Sequence, residues 1–320
     1  MSGPTFTVIV PTYRRPDKLA LCLHSLAEQD LPKSDYEIVV VDDASTHAES
    51  DAAATHLDHV TYRRLGQNGR GAAAARNHGA SVAKGRYLVF IDDDCRATPS
   101  WLSTLTQEIR VHDETTLIGG KVVNELQDDI FASATQALMD FLYDEFNHEH
   151  GQAGLLTSNT LCACADVFRK VGGFDPAFSG AGGEDRELCL RWRRMGHCLV
   201  YVPAAVVYHR HDMSLGTFMR QHTAYGRGAA VLRRLAIEQG HTSIPMEPAS
   251  FYWKLLNYPW RAPGIRRRRT ASLLFAISQL ATAVGYFQAT LSADSSLLAQ
   301  TLRKVRRGRQ RDWGRRGRET

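Results

Sequence analysis

Three consecutive aspartates, Asp92, Asp93 and Asp94, are the residues of this chain whose type and spacing indicate chemistry most directly. They follow an apolar run at residues 87–91 that is typical of a buried strand. Because side chains alternate along a strand, Asp92 and Asp94 are predicted to leave one face of the sheet and Asp93 the other. Such anions repel one another unless a cation lies between them, so a divalent metal carrying a phosphorylated ligand is the chemical interpretation. A solvated acidic turn is the alternative that the triplet alone leaves open.

Two histidines, His209 and His211, follow a predicted strand at residues 199–207. Side chains two positions apart on an extended chain face the same way, and neutral imidazole is a good ligand for transition metals. His209 is therefore a candidate metal ligand, with a purely structural histidine as an equal alternative.

The elements that must position these residues alternate between strands and helices. Strands are predicted at residues 5–10, 37–41 and 60–65, with a helix from Pro16 and an alanine-rich helix that holds Arg76. This order is typical of a mostly parallel α/β sheet, in which ligands bind at the carboxyl ends of the strands. Polar clusters follow three of the strands, which predicts one site built from several loops.

The turn after the first strand excludes a dinucleotide-binding domain. That domain needs glycines there, so that backbone amides can approach a pyrophosphate. Residues 11–16 instead read Pro-Thr-Tyr-Arg-Arg-Pro, without a glycine.

The composition is typical of a folded protein, and its charges are distributed unevenly along the chain. The chain has 320 residues, of which 43% are hydrophobic and 23% charged. Its six cysteines lack a CxxC spacing, and the N-terminus shows no signal peptide, so we expect a reduced, cytoplasmic location. Residues 261–320 carry 14 Lys/Arg and three acids, leaving 25 basic and 31 acidic groups in residues 1–260. This asymmetry predicts an anionic partner for the C-terminal part.

Five short segments follow one another along the chain. They are residues 10–15 (Val-Pro-Thr-Tyr-Arg-Arg), 41–45 (Val-Asp-Asp-Ala-Ser), 71–77 ending in Arg-Asn, 91–94 (Ile-Asp-Asp-Asp), and 172–175 (Gly-Gly-Phe-Asp) with 183–188 (Gly-Glu-Asp-Arg-Glu-Leu). In order and spacing they resemble the motifs of family 2 glycosyltransferases over about two thirds of the chain. The resemblance implies a GT-A fold with a Rossmann-like sheet in residues 1–215. Residues 1–100 would bind the nucleotide-sugar and residues 101–215 the acceptor. The implied reaction is inverting glycosyl transfer from a nucleotide diphospho-sugar with Mg or Mn.

The resemblance also assigns roles on the donor side. It implies that Asp94 is a direct metal ligand and that Asp92 lies near the ribose or a metal-bound water. Asp43 resembles the carboxylate that accepts the base N–H, most often from uracil, which favours a UDP-linked donor over dTDP or GDP. His209 matches a histidine that the family places near the metal or the diphosphate.

Other donor contacts are expected from the first strand and the alanine-rich helix. Pro11, Tyr13 and Arg15 would wall the base and ribose. Arg76 is a fixed cation suited to a phosphate oxygen, with an ordinary surface arginine as its alternative.

Inverting transfer needs a base to deprotonate the acceptor hydroxyl, and Asp185 is the candidate for it. Glu184 is the expected supporting acid. The alternative is that both acids only favour the start of a helix predicted at residues 185–195, through its dipole. Trp101 and Trp192 could stack on a sugar ring, although core packing is the commoner use of tryptophan.

The C-terminal third is predicted to be helical over residues 216–302. Four arginines at residues 266–269 precede residues 270–291, which contain no charged residue. That length could span a bilayer, but its polar residues favour an interfacial helix on an anionic membrane surface. A helical hairpin packed on the catalytic domain is the alternative. Residues 303–320 are predicted to form a mobile basic tail.

The motifs therefore favour a glycosyltransferase that acts on a glycan, a lipid-linked intermediate or a small-molecule acceptor. A metal-dependent nucleotidyltransferase is the alternative enzyme, although it would not need the Gly-Glu-Asp segment. A non-catalytic protein that binds nucleotide-sugar or nucleic acid is the third hypothesis. No nucleic acid partner is expected, because Trp313 is the single aromatic residue of the final segment. Donor sugar, linkage and oligomeric state are left open by the sequence.

Overall fold

The computed structural model describes residues 3–45, 59–66, 70–147, 153–178, 180, 182–240, 247–265 and 267–316. Within them, eight strands form one mixed sheet in the order β3-β2-β1-β4-β7-β6-β8-β5. The strands are β1 Phe6–Thr12, β2 Tyr36–Asp42, β3 Val60–Arg64, β4 Tyr87–Phe90, β5 Cys95–Ala97, β6 Leu117–Asn124, β7 Leu161–Cys164 and β8 Leu199–His209. Four of the seven adjacent strand pairs described are parallel, and three are antiparallel. The prediction of an α/β fold with a mostly parallel sheet is confirmed.

Helices cover the sheet and extend the chain beyond it. They are α1 Pro16–Ala27, α2 Ala72–Val82, α3 Trp101–Val111, α4 Ile130–Phe146, α5 Ala165–Val171, α6 Glu184–Arg194, α7 Leu215–Glu238, α8 Ala249–Arg261 and α9 Arg268–Arg316. Pro16 opens α1, as the fixed φ of proline at a first helical position favours.

The register of the first strands brings their carboxyl ends to one edge. Every residue of β1 is buried, and Thr12 at its end lies opposite Asp42 of β2. Ile9 of β1 lies opposite Phe90, the last residue of β4. The loops after β1, β2 and β4 therefore leave the sheet side by side, as the sequence predicts.

One hydrophobic core runs under the whole sheet and crosses residue 100, the predicted boundary between the two halves. Trp101 and Trp192 are fully buried in this core. The Trp101 Nε1–H donates to Thr160 Oγ1 over 3.0 Å, and the Trp192 Nε1–H donates to the Thr115 carbonyl over 2.7 Å. Both tryptophans are core residues and do not face a sugar.

A second apolar cluster holds the C-terminal helices against α4. It contains residues of α4, α7, α8 and α9, among them Phe141, Phe218, Leu255 and Phe275. The sheet-bearing domain and the C-terminal helices therefore share a packed interface.

Helix α9 includes residues 303–316, so this part of the predicted mobile basic tail is helical, and residues 317–320 lie outside the described residues. Arg, Lys and Gln, which are good helix formers, supply nine of the 14 residues in this stretch, and no proline follows residue 263. Within the described chain, one helical segment, Arg268–Ser292, is sufficiently long and apolar to cross a membrane by length and composition. In its most apolar window, 33% of the residues are buried.

Candidate active site

A cleft of about 1470 Å³ opens at the carboxyl edge of β1, β2 and β4. All residues predicted for the site line it, namely Pro11, Tyr13, Arg15, Asp43, Arg76, Asp92, Asp94, Glu184, Asp185 and His209. The cleft also reaches α4, α7, α8 and α9. Residues far apart in the sequence are thus gathered into one concave surface, the usual form of a small-molecule site.

Two residues of the aspartate triplet, Asp93 and Asp94, are held by Arg15. Arg15 Nη1 lies 3.1 Å from Asp94 Oδ2 and 3.4 Å from Asp93 Oδ1, and the Thr12 hydroxyl donates to Asp93 Oδ2 over 2.7 Å. The prediction that Asp93 points away from Asp94 is wrong, because β4 ends at Phe90 and the triplet forms a turn instead of continuing the strand. Burial and the adjacent Asp94 charge raise the pKa of Asp93 to about 7.

Asp94 and His209 form the part of the site best suited to a metal. His209 Nε2 lies 3.2 Å from Asp94 Oδ1, and antiparallel pairing of β5 with β8 sets His209 opposite Cys95. One potential ligand atom from each of Asp94, Cys95 and His209 lies within 4.8 Å of the others. Although burial opposes ionisation, the hydrogen bond and charge of His209, with Arg15 and Lys18, hold the pKa of Asp94 well below its usual range. An ionised carboxylate beside an imidazole is a donor set that fits Mn²⁺, and the buried Cys95 thiol is a neighbour that sequence reasoning missed.

His211 is the second histidine at this edge. Its ring centroid lies 4.7 Å from that of His209. Burial, followed by the neighbouring His209, lowers the pKa of His211 to about 4, which favours a neutral imidazole.

Arg76 is a buried cation that contacts carboxylates from two distant segments of the chain. Its Nη2 lies 2.6 Å from Asp92 Oδ1 and its Nη1 lies 3.2 Å from Glu184 Oε1. Its guanidinium also lies over the Phe174 ring, 5.4 Å from the centroid. The alternative of an ordinary surface arginine is wrong, since only 4% of the side chain is exposed. The described contacts of Arg76 are to protein carboxylates, and its contact with a phosphate stays a prediction.

Two asparagines complete this network. Asn159 Nδ2 donates to Asp92 Oδ2 over 2.8 Å. Asn77 Nδ2 donates to the Phe174 carbonyl over 2.7 Å, and the Phe174 N–H donates back to Asn77 Oδ1 over 2.9 Å. The Arg-Asn pair of α2 therefore fixes the Gly-Gly-Phe-Asp segment. Asn159 belongs to a polar run, residues 157–160, whose partner the sequence does not reveal.

Asp185 sits at the second position of α6, which begins at Glu184, one residue before the predicted start. Its Oδ1 is shielded from solvent and has no hydrogen-bond partner among the described residues. Burial and then the charge of Glu184 raise the pKa of Asp185 to about 7, against the opposing charge of Arg76 and hydrogen bonds from Ser158. Asp185 therefore combines a poised pKa with an unpaired oxygen, two properties of a general base.

Glycines shape the chain that leads to these acids. Gly182 and Gly183 have φ values of +86° and +116°, and a Cβ at Gly182 would overlap the Tyr225 ring. The Gly182 N–H donates to Glu184 Oε2 over 3.1 Å. This geometry holds Glu184 between a backbone amide and Arg76.

Asp43 binds the start of α2 through its carboxylate. Its two oxygens accept the N–H groups of Arg70 and Gly71 over 2.7 and 2.8 Å. The turn that could have received a ligand anion therefore already carries the carboxylate of the protein itself in this structure. Tyr13, which is 46% exposed, presents an aromatic ring on the wall of the same cleft.

The loops after β1 and β2 carry backbone strain next to this wall. Arg14 and Ala44 have φ values of +53° and +67°, in the left-handed region that non-glycine residues rarely adopt. The Arg14 N–H donates to Ser45 Oγ over 2.8 Å and ties the two loops together. Strain of this kind concentrates at ligand sites.

Family models and curated relatives match the part of the chain that builds this site. The model of glycosyl transferase family 2 matches residues 7–170, and one described as the N-terminal domain of galactosyltransferase matches residues 144–212. Among curated proteins, validoxylamine A glucosyltransferase of Streptomyces hygroscopicus is 29% identical over 60% of this chain and 49% of its own length. Poly(ribitol-phosphate) beta-glucosyltransferase of Bacillus spizizenii is 36% identical over 28% of this chain and 14% of its own length. The chain thus spans about half or less of the length of these relatives.

Solved structures share the fold at low sequence identity. Mannosyltransferase PcManGT of Pyrobaculum calidifontis, in complex with GDP-Man and Mn²⁺, is similar with a TM-score of 0.57 and 21% identity. That similarity covers 93% of this chain and 81% of the other. It extends the likeness beyond the sheet to the C-terminal helices.

Proposed function

The chain belongs to glycosyl transferase family 2, and from this premise we propose that it moves a sugar, with inversion, from a nucleotide diphospho-sugar to an acceptor hydroxyl. The observation that carries the proposal is the convergence of Asp94, Arg76 and Asp185 on one cleft. A cation site, a fixed guanidinium and a poised base are the groups that such a reaction requires. The expected GT-A fold is confirmed.

The donor half of the site lies at the ends of the first strands. Asp94 and His209, with Asp92 beside them, would hold a Mg or Mn ion. When bound, that ion would neutralise the diphosphate and stabilise the departing nucleoside diphosphate. Asp43 would accept a base N–H, and a uracil base gives the UDP-linked donor that we propose.

The remaining donor contacts come from side chains on the cleft wall. Pro11, Tyr13 and Arg15 would wall the base and ribose. Arg76 would face the diphosphate while it keeps Asp92 and Glu184 in place. Residues 1–100 would thus supply the donor site, apart from the metal ligand His209.

The acceptor half is proposed for residues 101–215. Asp185 would take the proton from the acceptor hydroxyl through its unpaired Oδ1 as that hydroxyl attacks the anomeric carbon. Glu184 would support it through the contacts with Arg76 and Gly182. A pKa near 7 suits this role, because the base is then ionised in part at neutral pH and still binds a proton well.

The acceptor class that we propose is a hydroxyl of a glycan, a lipid-linked intermediate or a small molecule. The named relatives act on a ribitol-phosphate polymer and on validoxylamine A, a range that includes polymeric and small acceptors. Family membership and the acid pair at the start of α6 argue against the alternatives of a nucleotidyltransferase and a non-catalytic binding protein.

The test is a donor screen with two active-site variants. The protein and Mn²⁺ are incubated with UDP-, dTDP- and GDP-sugars, and release of nucleoside diphosphate is measured. We expect Asp94→Asn to lose donor hydrolysis, and Asp185→Asn to keep donor binding while it loses transfer to an acceptor. Asp166→Asn is the matched control, since this carboxylate in the first turn of α5 is 79% exposed. If both active-site variants behaved like the control, the assigned roles would be wrong.

A further inference from the structure

Helix α9 carries a row of exposed apolar side chains that we call the apolar stripe. Its members are Leu273 (61% exposed), Leu280 (68%), Val284 (51%), Phe287 (63%) and Leu291 (68%). With 3.6 residues per turn, these five positions fall within an arc of about 60°. They therefore form one continuous surface along five turns of the helix.

The opposite face of the same helix is packed against the protein. Leu274, Phe275, Ser278 and Ala281 are buried, and the first two belong to the cluster shared with α4, α7 and α8. The apolar stripe is therefore not a core surface of this chain.

Two tryptophans of α8 extend the apolar stripe at its N-terminal end. Trp260 is 49% exposed, and its Nε1–H donates to Ser272 Oγ, next to Leu273, over 3.1 Å. Trp253, one heptad earlier on α8, is 68% exposed. Indole rings favour the boundary between water and a membrane, where an apolar ring and a polar N–H are both accommodated.

A cluster of exposed arginines flanks these tryptophans. Arg261, Arg267, Arg268 and Arg269 are exposed and form no ion pair with a carboxylate in the described part of the chain. Cations in the first turn of a helix interact unfavourably with its dipole, so the stability of α9 does not explain Arg268 and Arg269. An anionic partner outside the chain does explain them.

We propose that the apolar stripe, Trp253 and Trp260 dock in the plane of an anionic lipid bilayer, with the arginine cluster on the phosphate head groups. Apolar side chains along one helical face, aromatic rings at the boundary and a basic flank are the combination that holds a helix at such a surface. The buried opposite face favours docking over spanning, because a spanning α9 would have to leave its contacts with α7 and α8. This inference does not depend on the proposed reaction.

The test is flotation of the full chain with two kinds of vesicle, pure phosphatidylcholine and phosphatidylcholine with 30% phosphatidylglycerol. We expect binding to the anionic vesicles to exceed binding to the neutral ones by at least tenfold. The double variant Leu280→Asp/Phe287→Asp should reduce binding to anionic vesicles by about 100-fold, since two apolar anchors are lost. The triple variant R267Q/R268Q/R269Q should reduce it by a similar factor, and added salt should weaken the parent more than this variant.

Controls separate docking from misfolding and from a merely basic chain. Val111→Asp alters an apolar residue of α3 that is 74% exposed, and Arg193→Gln/Arg194→Gln removes two exposed charges from α6; both should bind like the parent. Donor hydrolysis should be the same in the stripe variant and the parent, which separates failure of docking from failure of the proposed reaction.

Three results would overturn the proposal. The first is equal vesicle binding by the parent and the stripe variant. The second is resistance of the bound protein to an alkaline carbonate wash, which would show a spanning helix. The third is a parent dimer in solution that the stripe substitutions convert to a monomer without any effect on vesicle binding, which would assign the face to a second copy of the chain.

Discussion

Asp185 shows at the residue scale how an environment prepares a carboxyl group for chemistry. Burial and the adjacent Glu184 disfavour its ionised form, while Arg76 partly restores it. Without Arg76 the carboxylate would be harder to ionise, and without burial it would be too weak a base. The balance between these effects leads to two separate predictions.

The first prediction concerns the pH dependence of transfer. Because a general base must be ionised, kcat/KM for transfer to an acceptor should rise with pH, with a midpoint of about 7 that follows the pKa of Asp185. The measurement is a pH profile under saturating Mn²⁺. A midpoint below about pH 5 would contradict the base assignment, since an ordinary exposed aspartate titrates there or lower.

The second prediction concerns stability and needs no substrate. The folded pKa of Asp185, about 7, lies above the ordinary value of 3.8, so the folded state binds the proton more tightly. The contribution of protonated Asp185 to the free energy of unfolding is fully present below pH 3.8 and is lost as the pH rises toward 7. The Asp185→Asn side chain cannot ionise. The Tm of this variant relative to the Tm of the parent should therefore rise by about 3 °C between pH 4.5 and pH 8. Thermal unfolding at both pH values measures this gain, and Asp166→Asn should show none.

At the scale of elements, two glycines decide how closely α7 and α9 approach. A Cβ at Gly226 would overlap the Thr282 carbonyl, and a Cβ at Gly285 would overlap the Thr223 carbonyl. The contact is reciprocal, with each helix presenting a glycine to the backbone of the other. It sets the position of α9 and hence the direction of its exposed face.

The third prediction tests this contact. Gly226→Ala or Gly285→Ala should lower the free energy of unfolding by about 2 kcal/mol, because backbone must move to admit the methyl group. Gly216→Ala is the matched control on α7, where the new Cβ would meet only Arg220 Nη1 at 3.4 Å and Ser214 Oγ at 3.8 Å. That control should be neutral or slightly stabilising, since alanine favours a helix. Chemical denaturation measures both, and equal losses would show that the crossing is not tight.

At the scale of the whole molecule, Arg76 connects segments that lie far apart in the chain. It belongs to α2, while Glu184 opens α6 and Asp92 follows β4. A single buried guanidinium thus holds two carboxylates that the chain brings from distant segments. Arg76 therefore belongs to the candidate site and also helps to hold the fold together.

The fourth prediction is that Arg76→Met destabilises the protein as well as inactivating it. Removing the cation leaves Asp92 and Glu184 without their partner, so the free energy of unfolding should fall by about 3 kcal/mol. Arg193→Met, at an exposed position of α6, should leave stability unchanged. An Arg76→Met protein as stable as the parent by denaturant titration would mean that the bridge is solvated and contributes only to catalysis.

The structural role of the C-terminal helices is the feature that the sequence specifies least. Residues 270–291 are uncharged, which fits a spanning helix, an interfacial helix and a packed hairpin equally in length. The structure divides this segment into a buried face with Phe275 and an exposed face with Leu280 and Phe287. Composition could not assign these faces, because they depend on where α7 and α8 pack.

The sequence by itself determined five of the eight described strands, the polar residues at their ends and the family, because these follow from local apolar patterns and from motifs a few residues long. Only the tertiary structure decided which groups meet. The antiparallel pairing of β5 and β8 sets Cys95 opposite His209, the end of β4 turns Asp93 toward Arg15, and folding brings Asn159 to Asp92. Contacts between residues far apart in the chain depend on strand register and on helix packing, and a short pattern of residue types specifies neither.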